Sequence, residues 1–251
     1  MISLKAKDFV IENIETVLFD KDGTFIDLDY FWGKMTELRA LEVIKRFNLK
    51  EENKKELCLM LGFDIESKKM LKDGITALYS RSKIIEIFKN DLLKFNIQIQ
   101  NEDLAQIFDE VSMIFYQDMM KYTKPIEDAI DFIKKLRKKG LKLAIVTSDS
   151  IESTKLTLRH FAWENLFDCV VGRESSNKTK ESGALTKIAL DELRANPKTT
   201  LMIGDAPMDF MSAKNADVEN VILVSTGQLD KQELLKTCFN VVESLNEIEI
   251  L

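Results

Sequence analysis

The most regular feature of the chain is a short run of apolar residues closed by a turn residue and followed by a helix-period pattern. Residues 16–19 (Thr-Val-Leu-Phe) end at Asp20, and residues 141–146 (Leu-Lys-Leu-Ala-Ile-Val) end at Thr147. Residues 200–203 end at Gly204-Asp205, and residues 221–224 end at Ser225-Thr226-Gly227. Cys169-Val170-Val171 is a shorter candidate. Runs of this length between helices predict strands buried on both faces, as in a parallel sheet. From about residue 124 the predicted order alternates helix and strand, which is the signature of a doubly wound α/β fold.

Residues 27–123 follow a different rule. Apolar positions recur with helical spacing at Met35, Leu38, Leu41 and Ile44 with Val43 and Phe47, at Ile84, Ile85, Ile87, Phe88 and Leu92, and at Leu104, Ile107, Phe108, Val111, Ile114 and Phe115. The block contains no proline, and only residues 97–99 (Ile-Gln-Ile) read as a short strand. Pro125 marks the return to the alternating pattern. The expected organisation is an α/β core of residues 1–26 and 124–251, with a helical domain of residues 27–123 inserted after the first buried strand.

Composition narrows the partners. The formal net charge is −6, which disfavours a nucleic-acid surface. The most basic stretch, residues 134–139, closes an amphipathic helix pattern, where cations complement the helix dipole. Three cysteines without metal-ligand spacing suggest reduced thiols, and one histidine rules out a histidine-rich metal site. No apolar run spans a membrane and Met1-Ile2-Ser3-Leu4-Lys5 lacks a secretory pattern, so a cytoplasmic location is expected.

Four groups of polar residues sit at predicted strand ends, where open α/β sheets bind ligands. Asp20-Lys21-Asp22-Gly23-Thr24 places two carboxylates one residue apart before a glycine. Asp22-Gly23 alone reads as a turn, but a carboxylate ending a buried strand, such as Asp20, needs a partner such as a cation. Asp205 ends another such strand, and Asp209 follows Pro207, where it would also suit a first helical turn. Thr147 and Ser148 end a third strand, with Asp149 and Glu152 spaced like a capping box for the next helix. Lys178 and Lys180 precede a helix and, taken alone, would read as surface lysines.

In this order the four groups resemble the haloacid dehalogenase superfamily, in particular its phosphoglycolate-phosphatase-like branch. Asp20 to Thr24 resembles the first motif, Thr147 the second, Lys178 or Lys180 the third, and Gly204-Asp205 with Asp209 the fourth. No proline follows either lysine as is usual in that branch; counting back from Ala189-Leu190 favours Lys180. The resemblance implies a doubly wound parallel sheet with an inserted α-helical cap. It further implies a magnesium-dependent phosphatase acting on a small phosphorylated metabolite through an aspartyl phosphate. In that reading Asp20 is the nucleophile and Asp22 the general acid and base, while Thr147, Ser148 and Lys180 hold the phosphoryl group. Asp20, Asp205 and the backbone carbonyl of Asp22 bind Mg²⁺, and Asp209 acts from behind them. An aspartate at position 22 favours a phosphate ester over a halide or phosphonate substrate. A phosphomutase of the β-phosphoglucomutase type and a catalytically idle, ligand-binding paralogue are the alternatives.

Overall fold

A computed structural model describes residues 1–251, apart from the side chain of Leu78. The chain opens with β1 (Ile2–Lys5) and β2 (Val10–Ile14), an antiparallel pair, and enters the core as β3 (Thr16–Phe19). Next come the helices α1 (Leu28–Phe47) and α2 (Lys54–Met60), a two-residue pair β4 (Phe63–Asp64) and β5 (Lys69–Met70), then α3 (Ile75–Leu78), α4 (Arg81–Asp91), α5 (Asn101–Gln117) and α6 (Met119–Tyr122). The alternating part follows as α7 (Glu127–Lys138), β6 (Lys142–Val146), α8 (Ile151–His160), β7 (Cys169–Val171), α9 (Ala184–Leu193), β8 (Thr200–Gly204), α10 (Pro207–Lys214) and β9 (Asn220–Val224). It closes with α11 (Lys231–Leu234), β10 (Val241–Val242) and β11 (Glu249–Ile250).

The chain forms two compact units, residues 1–27 with 124–251, and residues 28–123. In the first, six parallel strands lie in the order β10-β9-β8-β3-β6-β7. β3, β6 and β8 are apolar and buried because helices cover the sheet: Leu18, Ala144 and Met202 pack with Leu185, Ala189 and Ala213. Elsewhere in this unit, Phe25 stacks on Phe167 and meets Trp163 edge-on. In register, Phe19 stands beside Ile145 and Ile203, so the residues after all three strands emerge at one edge. The chain turns at β3, whose neighbours β6 and β8 both follow it in sequence; this is a topological switch point, where such sheets bind ligands.

Three local expectations change. Residues 97–99 form no strand, since no neighbouring segment pairs with them; the two-residue pair β4 and β5 lies elsewhere in the helical unit. Asp149 does not cap α8; Ser150 does, accepting a hydrogen bond from the Ser153 amide at 3.1 Å. The strands β1, β2 and β11, absent from the sequence pattern, form a separate antiparallel sheet. Trp32 is partly buried against the helical unit's own core. His160 lies exposed at the end of α8.

Candidate active site

Asp20 follows β3 directly, its amide donating to the Ile203 carbonyl at 2.9 Å, which continues the ladder for one more residue. The chain then folds back on itself: the Phe25 and Ile26 amides donate to the Lys21 carbonyl. Gly23 has φ +89°, a left-handed conformation that costs a residue with a Cβ roughly 1–2 kcal/mol. A Cβ at Gly23 would also collide with the Asp205 carboxylate, as would one at Gly227. Asp205 therefore sits in a slot open only to glycine. Thr226, beside Gly227, donates to the Gly23 carbonyl at 2.5 Å and ties the loop after β9 to this turn.

Lys180 is buried, and its Nζ lies 2.5 Å from both Asp20 Oδ1 and Asp209 Oδ1. Lys178 is exposed, so Lys180 alone of the two reaches the carboxylates. Asp209 also accepts from the Ala206 amide at 3.1 Å, so it serves both the helix start and the cluster. Thr147 is buried and accepts the Asp149 amide at 3.0 Å; Ser148 is exposed, its hydroxyl 3.4 Å from the Met208 sulfur.

Asp20, Asp205 and Asp209 each offer a carboxylate oxygen, and these lie within 4.8 Å of one another, all buried. Burial and the Asp20 and Asp209 charges push the Asp205 carboxyl well above the usual range. Burial and Asp20 push Asp209 up to about 6 against the pull of Lys180. Burial pulls the Lys180 ammonium down, but Asp20 and Asp209 outweigh it and raise it. Three buried carboxylates against one ammonium leave surplus negative charge on hard oxygen donors, a set that fits Mg²⁺. The Asp22 side chain makes a different contact.

That contact was not foreseen. Lys21 is fully buried, with Nζ 2.7 Å from Asp22 Oδ1 and 3.0 Å from Asp149 Oδ2. Burial pulls Lys21 down, and the two carboxylates raise it above its ordinary value. Burial pushes Asp22 up to about 6, Lys21 opposing and Asp149 adding. Burial would likewise raise Asp149, but Lys21 and the Ser150 and Ser153 hydrogen bonds hold it below the usual range. The sequence signal available was a lysine between two site aspartates on a buried strand end.

The sequence profile of the haloacid dehalogenase-like hydrolases matches residues 17–224. The chain belongs to that family. As a haloacid dehalogenase-like hydrolase it falls in the phosphoglycolate-phosphatase-like branch, among phosphatases. It is similar to a phosphoglycolate phosphatase of Aquifex aeolicus, 24% identical over 83% of this chain and 84% of that one. It is also similar to pyrophosphatase PpaX of Bacillus mycoides, 22% identical over 83% and 82%. The fold is shared with the crystal structure of a predicted phosphoglycolate phosphatase from Haemophilus somnus, with TM-score 0.71, 14% identity and coverage of 94% and 97%.

Proposed function

We propose that this haloacid dehalogenase-like phosphatase hydrolyses a small phosphate monoester through a phosphoryl group carried on Asp20, with Mg²⁺ required. The observation that carries the reading is Asp20 itself. It is a buried carboxylate at the central strand's end, touching Lys180 and clustered with Asp205 and Asp209. An Asp20 oxygen forms the bond to phosphorus while the bond from phosphorus to the leaving oxygen breaks, and Asp22 passes its proton to that oxygen. Water then attacks the phosphorus of the acyl phosphate while Asp22 takes its proton; the bond from phosphorus to the Asp20 oxygen breaks, returning the carboxylate, and inorganic phosphate departs. Thr147, Ser148 and Lys180 hold the phosphoryl oxygens and offset the charge that builds on them. Mg²⁺ held by Asp20, Asp205 and the Asp22 carbonyl would supply charge neutralisation for the phosphoryl oxygens, with Asp209 steadying that set through its contact with Lys180. The helical unit of residues 28–123 would act as a cap that selects the leaving group. Pyrophosphate and phosphoglycolate, which the names of the relatives carry, are the first substrates to try.

The test is turnover of p-nitrophenyl phosphate and a panel of phosphorylated metabolites with and without chelator. Excess chelator is expected to abolish turnover and Mg²⁺, not Ca²⁺, to restore it. Asp205→Asn is expected to raise the Mg²⁺ concentration needed for half-maximal rate by at least about 10-fold. Full turnover in chelator contradicts the metal requirement, and conversion of β-glucose 1-phosphate to glucose 6-phosphate would identify a mutase instead.

A further inference from the structure

We propose that Lys21 and Asp149 form a positioning pair that holds the Asp22 carboxyl in place for proton transfer to the leaving group. The inference rests on the acid role proposed above for Asp22 and extends it to two residues given no role there. Lys21 has no exposure, and its ammonium lies between two carboxylates at 2.7 and 3.0 Å. A buried ammonium needs charged partners, and two of them at contact distance leave it little freedom. The partners come from different strand ends: Asp22 follows β3 and Asp149 follows β6. Asp149 is itself fixed, its Oδ1 accepting the Ser150 amide at 2.7 Å at the start of α8. The chain of contacts thus runs from α8 through Asp149 and Lys21 to the Asp22 carboxyl. Asp22 is part-exposed, and its Oδ1 meets the fully buried Lys21 ammonium at 2.7 Å, a contact that restrains where the carboxyl lies.

This assigns to Asp149 a task other than helix capping. Ser150 supplies the cap. The aspartate beside it answers a buried charge on a neighbouring strand end.

A positioning role and a merely structural one differ in what they do to the leaving group. An alcohol needs a proton as it departs; p-nitrophenolate does not. The experiment measures single-turnover phosphoenzyme formation on an alkyl phosphate and on p-nitrophenyl phosphate for Asp149→Ala, Asp149→Asn, Lys21→Met and Asp22→Asn. For Asp22→Asn the alkyl rate is expected to fall about 100-fold or more, and the aryl rate far less. Asp149→Ala and Lys21→Met are expected to show the same asymmetry at about 10-fold or more, with Asp149→Asn recovering part of it by keeping an oxygen toward Lys21. If Asp22→Asn shows the asymmetry while Asp149→Ala and Asp149→Asn lose both rates equally or neither, the positioning pair is wrong and the acid role stands. If Asp22→Asn itself loses both rates equally, the acid role fails and the pair falls with it. Asp149→Asn, close in size and shape to the native residue, keeps the test open should Lys21→Met fail to fold, since a rate asymmetry smaller than that of Asp149→Ala is then the expected result and no asymmetry in either Asp149 variant overturns the proposal.

Discussion

Lys178 and Lys180 stand two residues apart in the same loop and differ in one physical respect. Lys180 is buried against two carboxylates, while Lys178 is exposed to water. Spacing favoured Lys180 but left Lys178 possible, because the turn between them can send either side chain inward. The structure distinguishes them by which one compensates buried charge. Removing that charge leaves Asp20 and Asp209 facing each other without their shared cation, a loss that costs about 3–5 kcal/mol when a buried pair is broken. Lys180→Met is therefore expected to lower the midpoint of chemical unfolding and reduce turnover by about 100-fold or more, as when a donor to developing charge is lost. Lys178→Met is expected to change both little. Equal effects of the two substitutions, read by urea denaturation and p-nitrophenyl phosphate turnover, would contradict the assignment. Lys21 and Asp149 were harder to read. Asp149 precedes a helix at capping distance, so local spacing explained it and concealed its partner on another strand.

At the scale of elements, legibility follows burial. Past their first residue β3, β6, β8 and β9 are apolar and buried because helices cover the sheet, and such a run is visible in sequence. β1, β2 and β11 form a separate antiparallel sheet; the apolar Val10 is exposed, and Asn13, with φ +60°, breaks the alternation between Ile11 and Ile14. β10 is two residues long, too short for any period. The turn after β3 shows how an element end becomes a site. Gly23 supplies both a left-handed φ and the space for Asp205, so its substitution has two separable consequences. Gly23→Ala is expected to cost at least about 1–2 kcal/mol in folding through φ alone. The displaced Asp205 is expected in addition to weaken Mg²⁺ binding in titration calorimetry. Unchanged Mg²⁺ affinity in a destabilised variant would mean that the glycine serves the turn and not the carboxylate.

For the whole molecule, the division into a parallel-sheet unit and a helical unit was legible because the two parts differ in period: short apolar runs in one, helical spacing in the other. The chain crosses between them at residues 27–28 and 123–124, where the Asp27 amide donates to the Lys124 carbonyl at 2.8 Å. Helical periodicity describes the inserted unit's own core, Phe88, Phe108 and Leu57 among it, and carries no record of what its other residues would recognise. The choice of substrate was illegible for that reason. Among the described residues no helix is long and apolar enough to cross a membrane, and the three cysteines are free thiols. The central claim is that Asp20 carries the phosphoryl group. Its most direct test is to mix Asp22→Asn, which lacks the base for the second step, with Mg²⁺ and p-nitrophenyl phosphate, quench in acid, and map phosphate by peptide mass spectrometry. The account predicts stoichiometric p-nitrophenolate release with a hydroxylamine-sensitive phosphate on the peptide bearing Asp20, absent in Asp20→Asn. Release of p-nitrophenolate with inorganic phosphate and no phosphopeptide at any quench time would contradict it.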